Sequence, residues 1–233
     1  VRTVLITGAT GGLGEVLVRV FDSAGYSTVV HYLKNRQKAE QLTKTLKNPS
    51  LCISADLKDI NSVEKMVDAI GSEMGGLDVL VNNASVTIDK LLLRYSEAEW
   101  DEVINTNLKG TFIMTKAALP IIRDGGHIVN ISSYSGLKGR QGQAAYSASK
   151  AGIVGLSKSL ARELSPRKIK VNVVVPGYLP VGMGQMAPEA MKRAMKESTL
   201  QMLGSAEDTA RFVLFLVNTE TITGQVFAID SRF

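Results

Sequence analysis

Apolar residues are distributed along this 233-residue chain in two alternating patterns. Short, nearly unbroken runs rich in β-branched residues lie at Thr3 to Thr7, Ser27 to Leu33, Leu51 to Ser54, Leu77 to Val81, Ile128 to Ile131, Ile169 to Val175 and Gln225 to Ile229. Such runs lack the in-out alternation of a sheet with one wet face, and they predict strands covered on both sides. Between them, apolar positions recur every three or four residues. Examples are Val16, Leu17, Val20 and Phe21, the stretch Ile60 to Met74, a helix from Ser96 through Trp100, Val103, Ile104 and Leu108 toward Leu119, Ala144 to Leu164, and Ala206 to Val217. Strands alternating with amphipathic helices predict an α/β fold, a single domain over 1–233 built on a doubly wound, mostly parallel sheet of six or seven strands.

The ends of the predicted strands carry the polar and glycine residues. The first strand runs into Gly8-Ala-Thr-Gly-Gly-Leu-Gly14 and then into a helix. Glycines there permit a tight turn and let backbone N–H groups approach a phosphate, which the helix N-terminus also attracts. Thr10 and Leu13 lie inside the same turn. The second strand ends in Lys34-Asn-Arg36, the third in Asp56-Leu57, the fourth in Asn82-Asn83-Ala84, the fifth in Ser132-Ser133 and the sixth in Pro176-Gly177. In a doubly wound sheet all of these fall on one rim, where such folds bind ligands. Asp56 is equally suited to capping a helix, and Lys34 with Arg36 to being solvated charge.

Composition narrows the classes. Hydrophobic residues make up 45% of the chain, enough for one sizeable core, and the single Cys52 cannot form an internal disulfide, which fits a reducing compartment. No Cys/His cluster has metal-ligand spacing, so no metal is expected. Apolar runs such as Phe212 to Val217 fall short of the roughly 18 residues of a membrane span, and no signal-peptide pattern is seen, so a soluble cytoplasmic protein is expected. The net charge of +5 favours anionic partners, but basic residues are interspersed with acidic ones and aromatics are only 6%, which argues against a nucleic-acid groove.

The chemistry concentrates between Asn130 and Gly152. After Ser132 and Ser133 comes a stretch read as a loop, with Gly136, Gly139 and Gly142, and then a helix that places Tyr146 and Lys150 four apart on one face. A free tyrosine titrates near pH ~10, and a neighbouring ammonium favours the phenolate and draws that value down. Serine, then Tyr-x-x-x-Lys, resembles the short-chain dehydrogenase/reductase family. So do Thr-Gly-x-x-x-Gly-x-Gly at Gly8, Gly12 and Gly14, Asp56-Leu57, Asn-Asn-Ala at Asn83 and Ala84, Asn107 in Asn-x-x-Gly, and Pro176-Gly177.

The resemblance implies a Rossmann-type fold and a tetrad of Asn107, Ser133, Tyr146 and Lys150, with Tyr146 as general acid/base. It also implies cofactor contacts from Gly8, Thr10, Gly12, Leu13, Gly14, Lys34, Arg36, Asp56, Leu57, Asn83, Ala84, Tyr146 and Lys150. With no acidic residue after the second strand, NADPH is expected over NADH. Thr87-x-Asp89-x-Leu-Leu-x-Arg94, Gly142-Gln-Ala-x-Tyr146 and Leu160-Ala-Arg-Glu163 are similar to motifs of family members that reduce acyl-carrier-protein-linked 3-oxoacyl groups. A reductase or dehydrogenase of another small or cyclic carbonyl or alcohol is the alternative, and a non-catalytic nucleotide-binding subunit or sensor the alternative of another class. The resemblance further implies a substrate lid at about 178–196, a homotetramer with a dimer as alternative, and carrier docking on Arg167 with Lys168 and Arg123. The chain departs from the family at Ser85 (usually glycine), Val181 (commonly threonine) and Ser231-Arg-Phe233 (usually Gly-Gly after the aspartate).

Overall fold

The computed structural model describes residues 1–232, and Phe233 lies outside them. Seven strands, β1 (Thr3–Ile6), β2 (Ser27–Tyr32), β3 (Ser50–Ser54), β4 (Leu77–Asn82), β5 (Ile122–Ile131), β6 (Lys170–Pro176) and β7 (Val226–Ile229), form one sheet in the order β3-β2-β1-β4-β5-β6-β7. Every pair is parallel. The chain leaves β1 toward β2 and β3 on one side and returns to β4 on the other, so a crevice opens at the carboxyl ends of β1 and β4.

Successive strand residues feed two cores. Val4, Ile6, Val30, Val79, Val81 and Val129 pack with Leu17 and Phe21 of α1 (Gly12–Ser23), Ala39 and Leu42 of α2 (Arg36–Lys44) and Val213 and Leu216 of α9 (Ala206–Leu216). Their neighbours Leu5, Val29, Leu80 and Ile128 pack on the other face with Val63, Met66 and Ile70 of α3 (Ile60–Met74) and Met114 of α5 (Gly110–Ala118). Burial on both faces is the reason the strands are continuously apolar.

Three segments differ from the sequence expectation. β5 begins at Ile122 rather than Ile128, because its register with β4 jumps between Leu77–Ile122 and Val79–His127 and the residues between bulge outward. The helix from Ser96 is not continuous: α4 (Glu97–Ile104), opened by a Ser96/Glu99 capping box, passes through a π-turn at Asn105–Lys109 before α5. The expected loop after Ser133 contains a short helix, α6 (Tyr134–Lys138), started by the Ser133 hydroxyl accepting the Ser135 N–H at 3.2 Å. Its glycine concealed it, yet Gly136 is there for contact, since a Cβ would stand 2.8 Å from Cβ of Lys150 in α7 (Ala144–Glu163). The segment expected to be the lid folds as a 3₁₀ turn, Gly182–Met186, followed by α8 (Pro188–Glu197).

Candidate active site

The glycine turn between β1 and α1 is shaped by its neighbours. Gly8 has φ +62°, and a Cβ there would lie 2.8 Å from Cα of Ala84. The Thr7 hydroxyl accepts the N–H groups of Asn83 and Ala84 at 2.9 and 3.0 Å, while Asn83 Nδ2 donates to the carbonyls of Thr7 and Gly8 at 2.9 and 3.2 Å. Asn83 therefore holds the turn. No side chain caps α1, which leaves its first amides free for an anion.

A cavity of about 780 Å³ runs along this rim. Lys34, Asp56 and Leu57 line one end, Thr10, Gly12, Leu13, Gly14, Asn83 and Ala84 the middle, and Ser133, Tyr146 and Lys150 the other end. Two expected residues do not face it. Arg36 turns onto its own helix and pairs with the i, i+4 carboxylate of Glu40 at 2.7 Å. Asn107, fully buried in the π-turn, stands behind the wall: its Oδ1 accepts the Val86 N–H at 2.8 Å, and its Nδ2 donates to Val86 O at 2.9 Å and Ser149 Oγ at 3.1 Å. Asp56 lines the cavity and accepts the Lys58 N–H at 2.9 Å, while Asp59 is the residue that caps α3.

Tyr146 retains some surface open to the cavity, yet loss of bulk water is the largest influence on its phenol and pushes its pKa up. The neighbouring Ser133 and Ser85 hydroxyls act the other way. The expected lowering by Lys150 is not found. The lysine ammonium lies 5.6 Å from the ring centre, donates to the Ile131 carbonyl at 2.9 Å, and is itself brought down to about 7 by burial with no carboxylate beside it. Ser132, the other serine at the strand end, donates to the Lys150 carbonyl at 2.8 Å, so Ser133 is the serine at the phenol.

His31 was missed by sequence reasoning. It is buried at the carboxyl half of β2 between Gly8 and Ala55 and lines the cavity. A lone histidine inside an apolar run was the available signal. Asp89 and Gln143, from two of the quoted motifs, bond at 2.8 Å, and Lys90 N–H donates to Gly142 O at 2.8 Å, fastening the 85–95 segment to the start of α7. Val181 lies against the glycine turn: a Cβ on Gly12 would be 2.9 Å from Val181 Cβ and 2.6 Å from the Gly182 nitrogen.

Arg167 is not beside the cavity mouth. Its guanidinium pairs with Asp124 at 2.8 Å and donates to the carbonyls of Leu119 at 2.8 Å and of Ile122, at the amino end of β5, with the whole strand between it and Ser133. Arg123 is likewise engaged there, with Asp78 at 2.6 Å and Gly75 O at 2.9 Å, and Lys168 closes the preceding turn at φ 55°. Among the described residues no helix is long and apolar enough to cross a membrane, and no cluster of metal-ligating side chains occurs.

A parallel sheet with a glycine turn at its switch point and a Ser-Tyr-Lys group on the same rim defines a dinucleotide-dependent oxidoreductase. The chain belongs to the short chain dehydrogenase family, whose pattern it matches over residues 2–192, and is an NAD(P)-dependent enzyme. It is 39% identical to "3-oxoacyl-[acyl-carrier-protein] reductase FabG" of Staphylococcus aureus, over 98% of this chain and 96% of that one. It is 38% identical to the protein of that name from Thermotoga maritima, over 98% and 96%. Among solved structures it resembles a blue fluorescent protein from a metagenomic library in complex with NADPH (TM-score 0.95, 30% identity, 100% and 97% covered). It also resembles a short chain dehydrogenase from Burkholderia cenocepacia in complex with NADP (TM-score 0.93, 30% identity, 99% and 97% covered).

Proposed function

We propose that this chain reduces the ketone of a 3-oxoacyl thioester held on an acyl-carrier protein to the 3-hydroxyacyl product, using NADPH and with Tyr146 as general acid. The observation that carries this is the Tyr146 phenol, flanked by the Ser133 and Ser85 hydroxyls, at one end of a continuous cavity whose other end holds Lys34. The bound cofactor supplies the hydride. The residues suit it: glycines without room for a Cβ and the open amides of α1 would cradle the pyrophosphate, Asp56 and Leu57 would meet the adenine, and Lys34 would meet a 2′-phosphate. Lys34 has no ion-pair partner among the described residues, and no carboxylate replaces it at the end of β2.

Ser133 donates to the ketone oxygen and polarises it, and Tyr146 gives its proton to the same oxygen as negative charge develops there. Burial keeps the phenol protonated beforehand, the state a general acid must start from. Lys150, behind the ring, would hold the nicotinamide ribose and favour the phenolate once the proton has left. Asn107 keeps Val86 and α7 in register without touching the reacting atoms. The substrate class is supported by full-length likeness to the carrier-protein reductases. Exposed Trp100, Phe112 and Leu93 support a homotetramer, with a dimer as alternative, and we place the enzyme in the cytoplasm.

The test is incubation with NADPH and a 3-oxoacyl carrier thioester, following loss of reduced-nicotinamide absorbance. Turnover of the thioester is expected. Reduction of simple ketones alone would make the chain a small-carbonyl reductase, and NADPH binding without turnover would make it a nucleotide-binding subunit.

A further inference from the structure

The departure at the C-terminal segment forms part of the substrate end of the cavity. Arg232 lines that end although its side chain is only 4% exposed, and its guanidinium carbon sits 4.3 Å above the ring of Tyr134, the residue after Ser133. Asp230 holds the same guanidinium through Nε at 2.9 Å and Nη2 at 2.6 Å. Its remaining nitrogen stands 3.9 Å from Glu197 at the end of α8, which Arg140 also grips at 3.1 Å. Behind the charges, the hydroxyls of Ser198 and Ser231 meet at 2.6 Å and Thr199 N–H donates to Ser231 O at 3.0 Å. The lid's far end is thereby fastened to the segment carrying Arg232 by ion pairs and hydrogen bonds together.

We infer that Arg232, stacked on Tyr134, is a specificity-determining residue that closes the site to long acyl chains and confines it to short 3-oxoacyl groups, an inference that rests on the ketoacyl reduction proposed above. An aliphatic chain extending past the ketone would lie against a buried guanidinium, and methylenes cannot replace the polar contacts that such a group would lose by moving. The wall cannot yield readily, because swinging Arg232 aside strands the carboxylate of Asp230, itself only 5% exposed. The cavity must also hold the dinucleotide along its rim, which leaves the space around Tyr134, Tyr178 and Arg140 for the acyl group.

The experiment measures kcat/KM with NADPH for carrier-linked 3-oxoacyl substrates of increasing chain length, in the unmodified enzyme, in Arg232→Ala and in the double variant Asp230→Asn/Arg232→Ala. The double variant removes both charges together, so that neither is left buried alone. NADPH affinity reports whether each variant is folded. The unmodified enzyme should favour the shortest over the longest chain by about tenfold or more, and the variants should reduce that ratio to about threefold or less. A flat profile in the unmodified enzyme, or a steep one that survives in both variants, overturns the inference while leaving ketoacyl reduction standing. Absence of turnover at every length overturns ketoacyl reduction and this inference with it.

Discussion

His31 accepts the Gly8 N–H on Nδ1 at 3.1 Å, and its Nε2 faces the Ala55 carbonyl at 3.0 Å. An amide can only donate and a carbonyl only accept, so the ring is the neutral tautomer with its proton on Nε2. It ties the glycine turn to the segment carrying Asp56, and burial holds its pKa down against the opposing pull of the Ala55 carbonyl and Asp56.

Removing this bridge should loosen the turn rather than the chemistry. His31→Leu is expected to weaken NADPH binding by about 1–3 kcal/mol, the cost of leaving buried partners unmade. His31→Asn, whose amide oxygen can still accept from Gly8, should restore most of it. Fluorescence titration of NADPH decides the matter, and unchanged affinity in the leucine variant would make His31 ordinary core filling.

Lys150 illustrates the conflict between stability and function. Burial brings its pKa from 10.5 to about 7, so between those values the unfolded chain holds a proton that the folded chain has released. Stability from this group therefore rises with pH across that window and is absent below about 7. Lys150→Met should abolish reduction yet raise Tm, by more at pH ~6 than at pH ~9, since at the lower pH a buried ammonium is being replaced. Thermal melts at the two pH values test it, and a Tm lowered equally at both would show that the bond to Ile131 outweighs desolvation.

The histidine at the other end of the sheet gives an acid-side prediction. His127, buried with Lys170 beside it, has its pKa lowered from 6.5 to about 4. A histidine kept neutral in the fold contributes stability that is complete above its unfolded value and lost as pH falls through the window between the two. Unfolding free energy should drop by about 2–3 kcal/mol from this group between pH ~6.5 and ~4. His127→Gln should flatten that part of the curve in urea titrations, and an unaltered slope would assign the acid sensitivity elsewhere.

Much of the fold was legible because double burial leaves continuous apolar runs, and the rim residues were legible because glycine, serine and asparagine at strand ends have few other uses. Three features were hidden for physical reasons. Asn107 was expected to complete the tetrad by holding, through its side chain or local backbone, a water that links the lysine to solvent; its side chain is taken up by Val86 and Ser149, a partnership set by a π-turn that helical periodicity does not reveal. The lowered phenol pKa assumed that charge would outweigh burial, whereas both partners are desolvated. The short α6 was masked by Gly136, whose purpose is contact with α7 rather than flexibility.

Lys34 and Arg36, two residues apart in sequence, should behave differently. Lys34→Ala is expected to reduce the preference for NADPH over NADH by about tenfold, since one charge-assisted phosphate contact contributes about 1.5–3 kcal/mol before solvent screening reduces it. Arg36→Ala should leave the preference within about twofold, because its guanidinium is committed to Glu40 outside the cavity. Steady-state kcat/KM with both cofactors separates the two, and an equal loss from each variant would place Arg36 at the phosphate.

The last prediction concerns Arg167, expected from the resemblance to receive a carrier protein. Its three polar contacts, with Asp124 and the carbonyls of Leu119 and Ile122, pin the start of β5 to the turn before β6. Arg167→Glu would set a carboxylate against two carbonyl oxygens and Asp124, all of them acceptors, so every contact turns repulsive at once. With the side chain 37% exposed, solvent offsets part of this, and a loss of about 1–3 kcal/mol is expected, or a Tm lower by several degrees for a chain of this size. Any fall in activity should follow the folded fraction and so be equal for a carrier-linked ketoacyl substrate and a small thioester analogue. Melting curves alongside kcat/KM on both substrates provide the check. A loss confined to the carrier-linked substrate, with Tm unchanged, would mean that Arg167 meets the carrier despite its place at the far end of β5.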